Sequence, residues 1–224
     1  MTELNGRRVL ISAGPMRTPL DPVRYIQNRS SGKMGLALAR ACRERGAEVS
    51  VLLGPVPQAM LEAFRDFEIA SYEGPGDYLA AMERLFPVCE VFFSAAAVLD
   101  FEVLPPDKKI ERAALSAMTT LPLSVRPVPD VVAAFAARRK PGQAVVAFAA
   151  ETGGEDDIVA RARLKMEKKR VDAMIANPVW PGLGPESDRN RVWLIRPEMP
   201  TLALGPAPKN ELAPMILDAL FPRT

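Results

Sequence analysis

The chain of 224 residues contains no histidine. That absence excludes Ser-His-Asp and Cys-His nucleophilic catalysis and any zinc site built on imidazole. Cysteine is scarce: Cys42 and Cys89 are far apart, lie in or beside apolar segments and match no metal spacing. They read as buried thiols of a reducing cytoplasm. No apolar run approaches the roughly 18 residues of a membrane span, and the opening MTELNGRR lacks the apolar core of an export signal, so neither membrane insertion nor export is expected. A formal net charge of +2 gives no argument for a nucleic-acid partner. What remains for chemistry is Asp, Glu, Asn, Lys, Arg, backbone donors and a bound cation. Group transfer involving phosphates fits that list, because it needs positioning and charge stabilisation more than a general base.

The length suits one sizeable core, and one domain over residues 1–224 is expected. Val9 to Ala13 reads as a buried strand. The Gly14-Pro15 break that follows opens a long polar connection bearing Pro19, Pro22 and Asn28, which ends at Ser30-Ser31-Gly32 before a helical pattern from Met34 to Cys42. Connections of this kind usually run about two to six residues, so this one reads as a binding loop. Strands are expected at 48–53, 67–71, 91–98, 143–149 and 173–176. Helices are expected at 77–86, from the cap Asp130 to about Arg139, and over the basic stretch 155–170. The alternation predicts a doubly wound, mostly parallel Rossmann-like α/β sheet. Residues 101–128 are polar and weakly periodic, and read as a flexible loop around 105–109 with a strand near 121–125. A tail hairpin (191–196 with 202–204) and a helix over 209–220 are expected, and a small β-rich lobe completes the architecture.

In an open α/β sheet ligands bind beyond the carboxyl ends of the strands. Those ends carry Gly14-Pro15, Gly54-Pro55, Asp100-Phe101, Glu151-Thr152-Gly153 and Asn177-Pro178, a set that favours a nucleotide or phosphate crevice over ordinary turns. Ser30-Ser31-Gly32-Lys33 reads equally as an anion site at a helix start or as a serine cap with glycines that permit close packing. It is not a Walker A loop. Lys108-Lys109 alone read as a solvated pair. Lys165 and Lys169 share a helix face, where like charges repel and an anionic partner would relieve them. A dehydrogenase is disfavoured: the G-x-G-x-x-G fingerprint is missing, no acid follows the second strand, and no Tyr has a Lys four residues on.

Taken together, VLISAGPMRTPLDPVRYIQNRSSGKMG, SAAAVLDF, the Lys-Ile at 109–110, VAFAAET, ARLKMEKKRVDAMIAN and ESDRNRVWLI make the chain resemble, over residues 6–220, the phosphopantothenate–cysteine ligase family. That family forms the second half of the bacterial bifunctional coenzyme A biosynthesis flavoprotein. The resemblance implies a cytoplasmic ligase in which CTP, with Mg²⁺, activates 4′-phosphopantothenate as an acyl-cytidylate, releasing pyrophosphate. The amine of cysteine then displaces CMP. It implies catalytic roles for Asn28, which polarises the acyl carbonyl, and for Lys109, which neutralises the reacting phosphates. Gly14, Ser30, Ser31, Gly32, Ala96, Ala97, Asp100, Phe101, Phe148, Lys165 and Lys169 would hold the nucleotide, and Asn28, Arg29 and Ala97 the substrate; no metal ligands are implied. It further implies a homodimer with 101–128 as lid or interface, and a flavin-dependent decarboxylase as neighbouring domain or partner chain, the opening LNGRRVLI resembling the usual junction. Met16 stands where the family usually has Thr, and Pro178 where it usually has an acid. The competing readings are a nucleotide-binding module without catalysis and an NAD(P)-dependent oxidoreductase.

Overall fold

The computed structural model describes residues 3–116 and 118–222; the ends of the expected 1–224 unit and position 117 lie outside the described residues. The elements in chain order are β1 (Arg8–Ala13), β2 (Arg17–Pro19), β3 (Tyr25–Gln27), α1 (Lys33–Arg43), β4 (Glu48–Leu53), α2 (Gln58–Ala63), β5 (Glu68–Ser71) and α3 (Pro75–Leu85). There follow β6 (Val91–Ser94), β7 (Phe101–Val103), α4 (Arg112–Ser116), β8 (Val125–Pro127), α5 (Val131–Ala137) and β9 (Ala144–Glu151). The chain closes with α6 (Glu155–Lys169), β10 (Ala173–Pro178), β11 (Arg189–Ile195), β12 (Leu202–Pro208) and α7 (Lys209–Leu220).

The central strands are apolar on both faces because both faces are covered. Val9, Ile11 and Ala13 of β1 and Val91 and Phe93 of β6 pack with α1 and α7 on one side. Leu10 and Phe92 pack with Tyr78 of α3, Phe135 of α5 and Ile158 of α6 on the other. The sheet runs β5-β4-β1-β6-β9-β10-β11-β12. Its first six strands are parallel, and β11 and β12 continue it antiparallel. Counted among the parallel strands alone, this is the Rossmann order 3-2-1-4-5-6, whose direction of winding reverses between β1 and β6. The doubly wound fold is therefore present.

Several boundaries differ from expectation. The expected tail hairpin is present as β11 and β12, and β11 also pairs with β10, so the hairpin extends the main sheet. The strand expected to run to Val98 stops at Ser94, where pairing with β9 ends; beyond it the chain still follows the β1 exit in the same parallel register, with Ala97 opposite Pro15. Ala97 N–H donates to Gly14 O (3.0 Å) and Met16 N–H to Ala97 O (3.1 Å). The long loop after β1 contains a hairpin of its own, β2 against β3, and the strand expected near 121–125 is β8, paired with β7. Met16 is fully buried in the second core, so at this position the chain gains packing where a hydroxyl would have been. Both cysteines are buried and unpaired, and burial raises the thiol of Cys42 to about 12 and that of Cys89 to about 11.

Candidate functional site

The switch between β1 and β6 opens on a cleft of about 630 Å³ at the carboxyl ends of the strands. Asn28, Arg29, Ser30, Gly32, Ala96, Ala97, Asp100, Phe148, Lys165 and Lys169 all line it; Gly14, Ser31, Phe101 and Lys109 do not. The segments come from the exits of β1, β6 and β9 and from α6, as the topology requires.

The β1 exit begins at Gly14, whose φ of +83° lets the chain turn beneath the cleft, where its carbonyl accepts from Tyr72 Oη (3.1 Å). Beyond the hairpin, Asn28 Nδ2 donates to Val98 O (2.9 Å) and Ala97 O (3.3 Å). The expected role for Asn28 was donation to a substrate carbonyl. Here both amide hydrogens face backbone, and Oδ1 is its unspent group. Ala97 is similarly committed, its N–H to Gly14 and its carbonyl to Met16 and Asn28.

Helix α1 starts with Gly32 as its N-cap, without a side-chain cap and without an acid in the first turn. Its free N–H groups and positive dipole end therefore face the cleft uncompensated. Gly35 permits that placement: a Cβ there would lie 2.3 Å from Ala13 Cβ, so α1 sits closer to β1 than any side chain would permit. Ser31 turns the other way and donates to Pro185 O (3.1 Å). Lys33 reaches Asp188 Oδ1 (2.5 Å), and the largely exposed Arg29 pairs with Glu186 at 3.9 Å.

Across the cleft, the repulsion expected between Lys165 and Lys169 is already relieved by protein. Lys165 Nζ lies 2.6 Å from Oε1 of the buried Glu151, which also accepts from Arg161 Nε (3.0 Å). Lys169 Nζ lies 2.5 Å from Asp130 Oδ2, while Asp130 Oδ1 caps α5 through Ala133 N–H (3.0 Å). Burial would raise the Asp130 carboxyl, but Lys169 and the cap outweigh it and hold it below its ordinary value. Lys168 stands beside them on the cleft wall with no carboxylate in ion-pair range among the described residues. Lys165 and Lys169 are thus preset, and their pairing does not by itself demand an anion.

Phe148, half-buried on β9, forms part of the floor, and Asp100 stands at the rim. Phe101 lies on β7 and Lys109 in the exposed loop before α4. Sequence reasoning did not find Lys209. It is buried at the start of α7, with Nζ donating to Gly184 O (2.9 Å) and Pro185 O (2.8 Å). Burial pushes its ammonium down to about 8, with Lys33 acting in the same direction and Asp188 opposing. The sequence signals only a helix start there. Asn190, buried on β11, also lines the cleft. Among the described residues no three of His, Cys, Asp and Glu converge as a metal cage, and no helix is long and apolar enough to cross a membrane.

The model of the DNA/pantothenate metabolism flavoprotein C-terminal domain family matches residues 4–222. The chain is 34% identical over 224 residues to the coenzyme A biosynthesis bifunctional protein CoaBC of Mycobacterium tuberculosis H37Rv, covering 97% of this chain and 53% of that one. It therefore spans about half the length of this curated relative. Among solved structures, the C-terminal domain of a CoaBC protein superposes with a TM-score of 0.74 at 26% identity, covering 97% of this chain and 95% of that one. A Cab2 mutant in complex with phosphopantothenate-cysteine has the same fold, with a TM-score of 0.73 at 19% identity over 96% of this chain and 85% of the Cab2 chain. By the family match over almost its whole length, the chain belongs to the DNA/pantothenate metabolism flavoprotein C-terminal domains.

Proposed function

We propose that this chain is a ligase of coenzyme A biosynthesis, joining 4′-phosphopantothenate to cysteine at the expense of CTP. One observation carries the reading: an uncapped helix N-terminus and the lysines of α6 face each other across a single cleft, with Asn28 between the β1 and β6 exits. Such a cleft suits a phosphate-bearing ligand gripped from two sides. The family and the relatives named for coenzyme A biosynthesis agree with it.

In the first step a carboxylate oxygen of 4′-phosphopantothenate attacks the α-phosphorus of CTP and pyrophosphate leaves. Lys165, Lys168 and Lys169 neutralise charge on the phosphates, Ser30 and the N–H groups around Gly32 receive one of them, and Lys109 approaches from its loop. In the second step the amine nitrogen of cysteine attacks the acyl carbon, the bond from that carbon to the bridging oxygen breaks, CMP leaves with that oxygen on its phosphate and the amine releases a proton. For Asn28 to donate to the acyl oxygen it must release a backbone partner, and its longer bond, to Ala97 O, is the one to yield. Mg²⁺, when bound, adds charge neutralisation on the phosphates. With Asp100 and Asp130 the only carboxylates on the cleft wall among the described residues, it would be held mainly by nucleotide phosphates and water, as is usual for this ion. We further propose that the chain acts as a homodimer and that a flavin-dependent decarboxylase occupies the part of its relatives it does not span.

The test is direct. CTP, 4′-phosphopantothenate, cysteine and Mg²⁺ together should yield pyrophosphate, CMP and the amide, with ATP a poorer substitute. No pyrophosphate from the complete mixture defeats the proposal, and tight CTP binding without turnover would establish the non-catalytic module instead. Asn28→Asp should slow amide formation about a hundredfold or more, the scale of a lost oxyanion donor, while CTP affinity changes less than about threefold. Equal losses in both would make Asn28 structural.

A further inference from the structure

The loop that carries Lys109 is held from outside itself, by the β2–β3 hairpin. At one end, buried Thr18 Oγ1 accepts from Val103 N–H (2.8 Å). At the other end both polar groups of Ile110 are taken: its N–H donates to Asp21 Oδ2 (3.1 Å), and its carbonyl accepts from Arg24 Nη2 (3.1 Å). The Asp21 side chain is fully buried and its two oxygens divide the labour. Oδ1 accepts from Val23 N–H (2.9 Å) and Arg24 N–H (2.8 Å), closing the hairpin turn. Oδ2 accepts the Arg24 fork through Nε (3.0 Å) and Nη2 (2.5 Å), together with Ile110 N–H.

A turn stabiliser needs only the first oxygen. The second spans 89 residues of sequence to a peptide whose neighbour is Lys109. The Arg24 guanidinium, helped by the backbone donors, overcomes burial and keeps the carboxyl far below the ordinary range, so it is ionised wherever the protein is folded near neutrality. Charge-assisted bonds of this kind are short, directional and expensive to break when buried. Between the two anchor points run Leu104 to Lys109, with Pro105 and Pro106, and the exposed Lys108 and Lys109. Adjacent Cα atoms are about 3.8 Å apart, so fixing Ile110 fixes the root of the Lys109 side chain to within one residue.

We propose that Asp21 and Arg24 form a latch that fixes the root of the Lys109 loop, making Asp21 a positioning residue for phosphate chemistry in the cleft. The catalytic half of this statement rests on the ligase reading; the latch itself does not. Asp21→Asn separates them well, because an asparagine oxygen can still close the turn while its NH2 faces the Ile110 N–H and Arg24. Hydrogen exchange across 104–111 and the rate of pyrophosphate release are measured for Asp21→Asn, Lys109→Ala and the double variant. Expected results are exchange at Ile110 faster by about tenfold or more, pyrophosphate release slower by a similar factor, and CTP affinity within about twofold of the parent. The double variant should be no slower than Lys109→Ala alone, since a latch has nothing to position once the lysine is gone. Unchanged exchange in a folded Asp21→Asn protein overturns the latch, and multiplicative rate losses overturn the positioning role. A Lys109→Ala protein with undiminished pyrophosphate release refutes the ligase role of that lysine and, with it, the positioning role, while exchange still decides the latch. If Asp21→Asn fails to fold, Arg24→Lys serves: it leaves a cation beside Asp21 but removes the prong to Ile110 O. Exchange across 104–111 should still quicken, and parental exchange there would overturn the latch.

Discussion

Lys209 places an ammonium against two carbonyls in the interior, where burial disfavours charge. Its folded value near 8 lies below the roughly 10.4 of an unfolded lysine. Between those values the unfolded chain holds more protons than the folded one, so this residue makes stability rise as pH increases through that window. Urea unfolding from pH 7.5 to 10 should therefore show the parent gaining on Lys209→Met as pH rises; parallel curves would contradict the assignment. Residues were legible in the sequence where chemistry follows from position along the chain. Asn28, Ser30 and the α6 lysines stood at predictable strand exits and helix faces, and all reach the cleft. Lys209 and Asp21 were not legible. Their importance lies in being buried against backbone 25 and 89 residues away, which no local pattern encodes. The hydrogen bond of Ser31 was not legible for a related reason: the carbonyl it serves belongs to the 185 loop.

At the scale of elements, the contact between α1 and β1 decides where the anion site stands. Gly35→Ala must push the helix off Ala13, an overpacking that costs about 1–3 kcal/mol. We expect a lower thermal midpoint together with weaker CTP binding, because the helix start moves with the helix. A stable protein with full affinity would show that α1 adjusts freely. β1, β4, β5, β9, β10 and β11 were readable to within a residue or two from their apolar runs, and so was α7, which packs on α1. The β2–β3 hairpin escaped because TPLDPVRY has no alternation and its prolines suggest loop. The end of β6 escaped because Ala95 to Ala97 carry no side-chain pattern to mark where pairing with β9 stops while the chain goes on following the β1 exit.

For the whole molecule, Phe101, Leu104, Leu121, Leu123 and Val125 are exposed on the 101–128 segment, near the exposed Val23 and Tyr25 of the hairpin bound to it. Exposed apolar side chains on one segment are what the proposed dimer would cover. We expect light scattering to give the mass of two chains, and Val125→Lys, at the exposed edge of β8, to give one. A monomeric parent would remove the dimer proposal while leaving the cleft intact. The doubly wound, mostly parallel architecture was legible in advance because alternating strands and helices with right-handed crossovers leave few alternatives. That the tail hairpin would continue the sheet was not, since β11 and β12 find their place only by pairing with β10.

The central sheet parts the interior into two separate cores, and the opposing walls of the cleft belong to different ones: α1 is rooted in the first and α6 in the second. A nucleotide gripped by both is then a rivet through a laminate. It should damp the relative sliding of two layers that share only the sheet between them, so each layer's opening energetics should come to depend on whether the other is intact.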